Sequence, residues 1–154
     1  MSRYWLFKSE PDGYSFERLA KERTTPWSGV RNFQARNNMM EMRIDDLGFF
    51  YHSSIAEPGA VGIVRVVKEA YPDFTAFERG GEYYDPRSTP EKPKWMMVDV
   101  EYVEPLDHPV TLARMREEPR LVGMALLKRG QRLSVQPVMP HEWKIILELS
   151  KRAQ

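Results

Sequence analysis

The sequence predicts an α+β fold: a strongly bent or closed, mostly antiparallel sheet resembling a β-barrel, surrounded by short helices. Three observations carry this. Val61–Val67 and Trp95–Val103 read as buried strands, the first through β-branched density and the second through alternation. The stretches between candidate strands are helix-sized in places and irregular in others, with no βαβ rhythm. At 154 residues, the chain has the length of one domain (1–154) with a proper core, and no internal repeat or linker interrupts it.

Each element has its own local reason. Tyr4-Trp5-Leu6-Phe7 is a short apolar run ended by the turn chemistry of Lys8-Ser9-Glu10-Pro11-Asp12-Gly13. Ser15 is placed to N-cap a helix that carries Phe16, Leu19 and Ala20 inward. From Asn32 to Met42, the stripe Ala35, Met39, Met42 at i, i+4, i+7 predicts a second helix. Phe49-Phe50-Tyr51-His52-Ser53 forms an aromatic strand, followed by a loop at Pro58-Gly59 and the Val61–Val67 strand. Pro72–Lys94 is the longest irregular region, of a length that is often functional. In Trp95–Val103, Met96, Val98, Val100 and Tyr102 share one face. Thr111–Glu117 and Pro119–Lys128 predict two short helices, the second starting on Pro119. Leu133–Val138 is a last strand, and Pro140 opens a C-terminal helix with Trp143, Ile146 and Leu147 inward.

The segment Pro26–Asn37 is chemically the most distinctive. It holds Trp27, Gly29, two arginines and two asparagines, and no acid lies between Arg23 and Met40. Trp offers a stacking plane, Ser, Asn and turn amides offer hydrogen bonds, and Arg offers a fork for phosphate or carboxylate. That set suits a base carried on an anionic backbone; the other reading of the stretch is that Trp27 is core and the arginines a solvated helix face. The formal net charge is +1, so any basic surface is a local patch. There is no cysteine, which excludes disulfides and thiolate metal sites and fits a reducing cytoplasm. No signal-peptide core opens the chain and no apolar run approaches about 18 residues, so the reading is a cytoplasmic protein without a membrane partner.

Enzyme signatures are missing. There is no phosphate-binding glycine loop, no dinucleotide fingerprint and no G-x-S-x-G elbow. His52, His108 and His141 lack metal-ligand spacing, and a zinc nucleobase deaminase lacks its cysteines. No catalytic residue, metal or cofactor is assigned. Lys8-Ser9-Glu10 reads as a ligand-facing strand end or a charged turn, and His52 as a core or rim group or a catalyst. Tyr83-Tyr84-Asp85-Pro86 reads as an anchored loop or a pocket wall, and Trp95 as core or a second stacking plate.

These motifs together resemble the EVE domain, a member of the PUA-like superfamily related to the YTH domain. The resemblance runs through Tyr4-Trp5-Leu6 with Lys8–Pro11, Trp27–Asn32, Gln34–Asn37, Phe49–Ser53, Tyr83–Pro86, Trp95–Val100, Pro109–Leu112 and Arg132–Val138. One departure is Asp45-Asp46, in place of an expected Gly-Asp before the aromatic strand. The resemblance implies a PUA-like barrel with one deep pocket for a single base. Lys8 and Ser9 would border it, Trp27 would be a stacking wall, and Ser28, Gly29 and Val30 would meet the base edge. Trp95 is the candidate for the opposing wall. Tyr51, His52, Ser53, Tyr84 and Asp85 are also placed at the pocket by the resemblance, as are Ser134, Gln136 and Pro137. Arg31, Asn32 and Arg36 would hold flanking phosphates.

The function expected is a non-enzymatic reader of a flipped modified base, 5-methylcytosine or a derivative in DNA, with nucleic acid as partner. Two alternatives are carried: a PUA-type RNA-binding module for a modified or single-stranded nucleotide, and a small nucleotide-acting enzyme using His52.

Overall fold

The computed structural model describes residues 3–130 and 132–153. Among the described residues six strands form one sheet: β1 (Tyr4–Ser9), β2 (Thr24–Pro26), β3 (Leu47–His52), β4 (Gly59–Pro72), β5 (Met96–Thr111) and β6 (Val135–Val138). Their spatial order is β2-β5-β4-β3-β1-β6. Every pairing is antiparallel except β1 with β3, which is parallel. The sheet is bent and open, with β2 and β6 at its edges. The bend comes from β4 and β5, whose register shifts at four places along the pair.

Both faces of the sheet are covered, because successive side chains along a strand alternate sides. In β1, Trp5 and Phe7 enter one cluster with Phe50, Val64, Val98 and Val100, while Leu6 enters another with Phe49, Ile63 and Val110. The first cluster is closed by α1 (Phe16–Glu22) and α2 (Phe33–Met40), the second by α3 (Leu112–Arg116) and α4 (Pro140–Ser150). Ser15 caps α1 by accepting from the Arg18 amide, and Asn32 caps α2 by accepting from the Ala35 amide. Ala35, Met39 and Met42 are buried, as their spacing requires. In the second cluster Trp143 lies between Tyr4 and Phe49, with centroids at 4.6 and 4.0 Å.

Several elements depart from expectation. β4 and β5 are longer than their apolar runs, and Thr24–Pro26 is a strand. Pro119–Lys128 is not one helix: it forms 3₁₀ turns at Pro119–Leu121 and Ala125–Leu127, separated by Gly123 at φ 90°. A left-handed residue there ends the helical path.

The departure at Asp45-Asp46 has a clear consequence. Asp45 adopts φ 77°, a conformation that glycine holds without steric cost. Asp46 is buried and accepts from the Arg3 amide (3.0 Å), the Trp5 indole (2.9 Å) and the Arg43 amide (3.0 Å), anchoring β1. The exposed Asp45–Arg65 pair is long, at 3.9 Å, and contributes little. Asp45→Gly is therefore expected to raise stability by about 0.5–1 kcal/mol, read from the urea midpoint.

Candidate functional site

A cavity of about 720 Å³ opens where the C-terminal end of β1, the entry to β6, strand β2 and the loop after it converge. Trp27 is held there because its amide continues the β2–β5 pairing, donating to the Val98 carbonyl at 2.7 Å. Its indole packs edge-on against Phe7 (5.2 Å, 68°) and Phe50 (5.5 Å, 88°). The residue is 8% exposed and borders the cavity, so it is neither a free plate nor sealed inside.

Gly29 explains the next turn of the loop. It has φ 82°, and an added Cβ would come within 2.9 Å of the Tyr83 ring. Only glycine lets Tyr83 close down on this backbone. Tyr83 is thus the second large aromatic wall. Burial, together with neighbouring Glu82, raises the pKa of its phenol.

Behind the loop stands Asp73, fully buried. Its carboxylate accepts from the Gly29 amide (2.8 Å), the Arg31 guanidinium (3.0 Å) and the Thr75 amide (2.8 Å) and hydroxyl (2.5 Å). Arg31 also donates to the Val30 and Tyr83 carbonyls and to Thr75. It ties the Trp27 loop to the Tyr83 loop and is committed to that task. Asn32 is spent on capping α2, and Arg36 donates to the Lys94 carbonyl (2.9 Å) and to Asn37. All three residues expected to hold phosphates therefore have structural partners.

The remaining expected residues divide. Lys8, Ser9, Ser28, Gly29, Val30 and Ser134 border the cavity with Trp27. The Ser9 hydroxyl donates to the Tyr14 carbonyl at 2.6 Å, which leaves its oxygen able to accept only. Burial lowers the pKa of Lys8, whose ammonium leans toward the Tyr51 ring at 6.0 Å. Tyr51 itself belongs to the cluster on the opposite face of the sheet.

The lining does not include Ser53, whose backbone amide donates to the Ser9 carbonyl, or Gln136, whose side-chain amide donates to the Leu133 carbonyl. Pro137 is exposed on the edge strand. Trp95 is not opposite Trp27. Its indole donates to Asp85 at 2.8 Å, and with Tyr84 and Asp85 it borders a second cavity of about 450 Å³. That bond and the Arg87 amide and guanidinium keep the Asp85 carboxyl well below the usual carboxylate range.

His52 has a structural role. Its Nε2 accepts from the Phe16 amide at 3.1 Å, the first amide of α1. Burial lowers its pKa, against the smaller opposing pull of Glu17. The folded state thus favours the neutral ring, and the unfolded chain takes up a proton first as pH falls. This part of the stability is present above the unfolded value of about 6.5 and is lost below it, down to the depressed folded value. His52→Gln keeps an acceptor without a charge change. It is expected to flatten the fall in the urea midpoint between about pH 7.5 and 5.5.

Sequence reasoning missed Tyr14, Thr25 and the charged groups Arg18, Glu22 and Glu82, all of which border the cavity; Tyr83 and Glu10, for which it left a ligand-facing reading open beside a structural one, border it too. Among them Tyr14 donates to Glu22 (2.6 Å), and Glu22 also accepts from Arg18 (3.1 Å). Asp73 was also missed; its signal is a lone acid after proline at a strand end, with threonine two residues on. No group of three or more His, Asp or Glu among the described residues could hold a metal, and no described helix could cross a membrane.

Residues 3–149 match the family described as the EVE domain. The chain belongs to the EVE domain family. Thymocyte nuclear protein 1 of Mus musculus is 41% identical over 170 aligned positions, covering 98% of this EVE domain chain and 75% of the relative. A hypothetical protein from Leishmania major superposes with a TM-score of 0.93 at 47% identity, over 98% of this chain and 96% of that one. The human THYN1 protein, solved in complex with DNA containing 5-methylcytosine, superposes with a TM-score of 0.92 at 40% identity, over 99% and 100% of the two chains. A YTH domain from Zygosaccharomyces rouxii, at 16% identity and a TM-score of 0.56, shares the fold alone. The EVE domain fold seen here is the PUA-like α+β fold.

Proposed function

We propose that this EVE domain chain, acting as one domain over 1–154, is a non-enzymatic reader of modified nucleic acid. It receives a flipped 5-methylcytosine, or a derivative, from DNA into the cavity beside Trp27. The observation that carries this reading is a cavity with room for a flipped base, bordered by Trp27 and Tyr83. The relative solved with methylated DNA supports the choice of ligand.

The chemistry of the lining fits a neutral base better than a phosphate. Glu10, Glu22 and Glu82 stand against Lys8 and Arg18, so the charge surplus is acidic. A carboxylate accepts from the exocyclic amine of cytosine, as it does in base-edge recognition elsewhere. Val30 and Pro26 offer apolar contact for a methyl group. Flipping costs a few kcal/mol, and stacking on an aromatic wall returns about 1–3 kcal/mol.

An apolar contact distinguishes one methyl by about 1–3 kcal/mol, so preference rather than absolute selection is expected. DNA oligonucleotides carrying one 5-methylcytosine or one cytosine test this by titration. Tighter binding of the methylated strand by about tenfold or more is expected. Equal affinities reject the reading, and stronger binding of the same sequence as RNA redirects it to an RNA module.

A further inference from the structure

We infer that Phe33, stacked on Trp95 and flanked by Arg36 and Lys94, is a second nucleotide-binding surface. It would take the unpaired base and phosphate adjoining the base held beside Trp27. The inference rests on the function proposed above.

Phe33 is the first residue of α2 and is 50% exposed. Its ring lies over that of Trp95, with centroids 4.8 Å apart and planes 23° apart. Trp95 is buried and fixed by its bond to Asp85, so the exposed ring rests on a rigid base. A preorganised plane loses little freedom when a flat ligand settles on it. The Arg36 guanidinium is 4.8 Å and the Lys94 ammonium 5.2 Å from the Phe33 ring centre.

Charge selects the occupant. Asp85 pairs with Arg87 at 3.2 Å and lies 3.9 Å from Lys94, so one carboxylate serves two cations. Arg36 has a carbonyl and an amide oxygen as partners, and no carboxylate among the described residues. With Glu82, which borders the Trp95 cavity too, counted beside Asp85, the cations Arg36, Arg87 and Lys94 still leave a positive surplus beside an exposed aromatic plane, the pairing that single-stranded nucleic acid uses. The base cavity, with its acidic surplus, leaves the phosphates to be met outside it.

Continuity places the two sites on one path. Tyr83 borders the base cavity and also the cavity that Trp95 borders. The Arg31 guanidinium lies 5.4 Å from each of these two rings and joins them. A strand leaving the flipped nucleotide across Tyr83 therefore reaches the Trp95–Phe33 stack next.

Three probes separate this surface from the base cavity: 5-methyl-2′-deoxycytidine, a single-stranded oligonucleotide with one 5-methylcytosine, and that oligonucleotide with abasic flanking positions. Phe33→Ala is expected to weaken the intact oligonucleotide about tenfold. It should leave the nucleoside affinity and the methylated-to-unmethylated ratio unchanged, and match the unaltered protein on the abasic strand. Lys94→Gln is expected to reduce the slope of log K against log salt by about 1, with the fold undisturbed. Unchanged oligonucleotide binding in both variants overturns the inference. A methylated-to-unmethylated ratio of one in the unaltered protein overturns the reader function instead. No binding to any oligonucleotide overturns both.

Discussion

Trp27→Ala is expected to destabilise the protein by about 3–5 kcal/mol and to reduce methylated-DNA binding by more than tenfold. The stability loss follows from the edge contacts with Phe7 and Phe50, which would face a void. Loss of binding follows from removing an aromatic wall of the cavity. Trp27→Phe separates the two effects: it keeps most of the packing and is expected to lose less stability while still binding more weakly. Urea unfolding and oligonucleotide titration on both variants check this. Full binding by a folded Trp27→Phe and Trp27→Ala pair would contradict the assignment.

Asp73→Ala carries the second large effect, an expected loss of about 3 kcal/mol. The side chain is fully buried and accepts from four donors, one of them the charged Arg31. Removal leaves a partly buried guanidinium without its carboxylate and the Gly29 amide without its acceptor. Since this carboxylate ties the Trp27 loop to the segment after β4, binding should weaken as well. Denaturant unfolding gives the first quantity, and a loss under about 1 kcal/mol would show that the network is not what holds the loop.

Much of the fold was legible where side chains repeat with a period. The stripe Ala35, Met39, Met42 and the alternation of Val98 and Val100 report burial directly. β4 and β5 extend past their apolar runs through Lys68, Glu69, Pro105 and Asp107: Lys68 and Pro105 pair beside register shifts, and Glu69 and Asp107 fall in the irregular stretches between paired positions, where polarity is tolerated. The helix expected across Pro119–Lys128 failed at Gly123, where composition does not announce a left-handed turn.

The site divides along the same line. Ser9, Trp27, Ser28 and Gly29 sit next to strand ends, and local order places them at the cavity. The opposing wall comes from a loop with no period, where adjacent Tyr83 and Tyr84 have different surroundings: Tyr83 borders both cavities and Tyr84 only the second. Arg31, Asn32 and Arg36 have the chemistry of phosphate ligands, but long-range partners at Asp73, Tyr83 and Lys94 engage the two arginines, and α2 engages Asn32.

The most direct measurement follows the four tryptophan indole N–H resonances by NMR during addition of a DNA oligonucleotide containing one 5-methylcytosine. Trp5 and Trp143 are buried and do not border the cavity, while Trp27 does. Trp27 is expected to shift strongly, more for the methylated strand than for the unmodified one, with Trp5 and Trp143 unmoved. A Trp27 resonance that stays in place while the oligonucleotide saturates the protein would contradict the account.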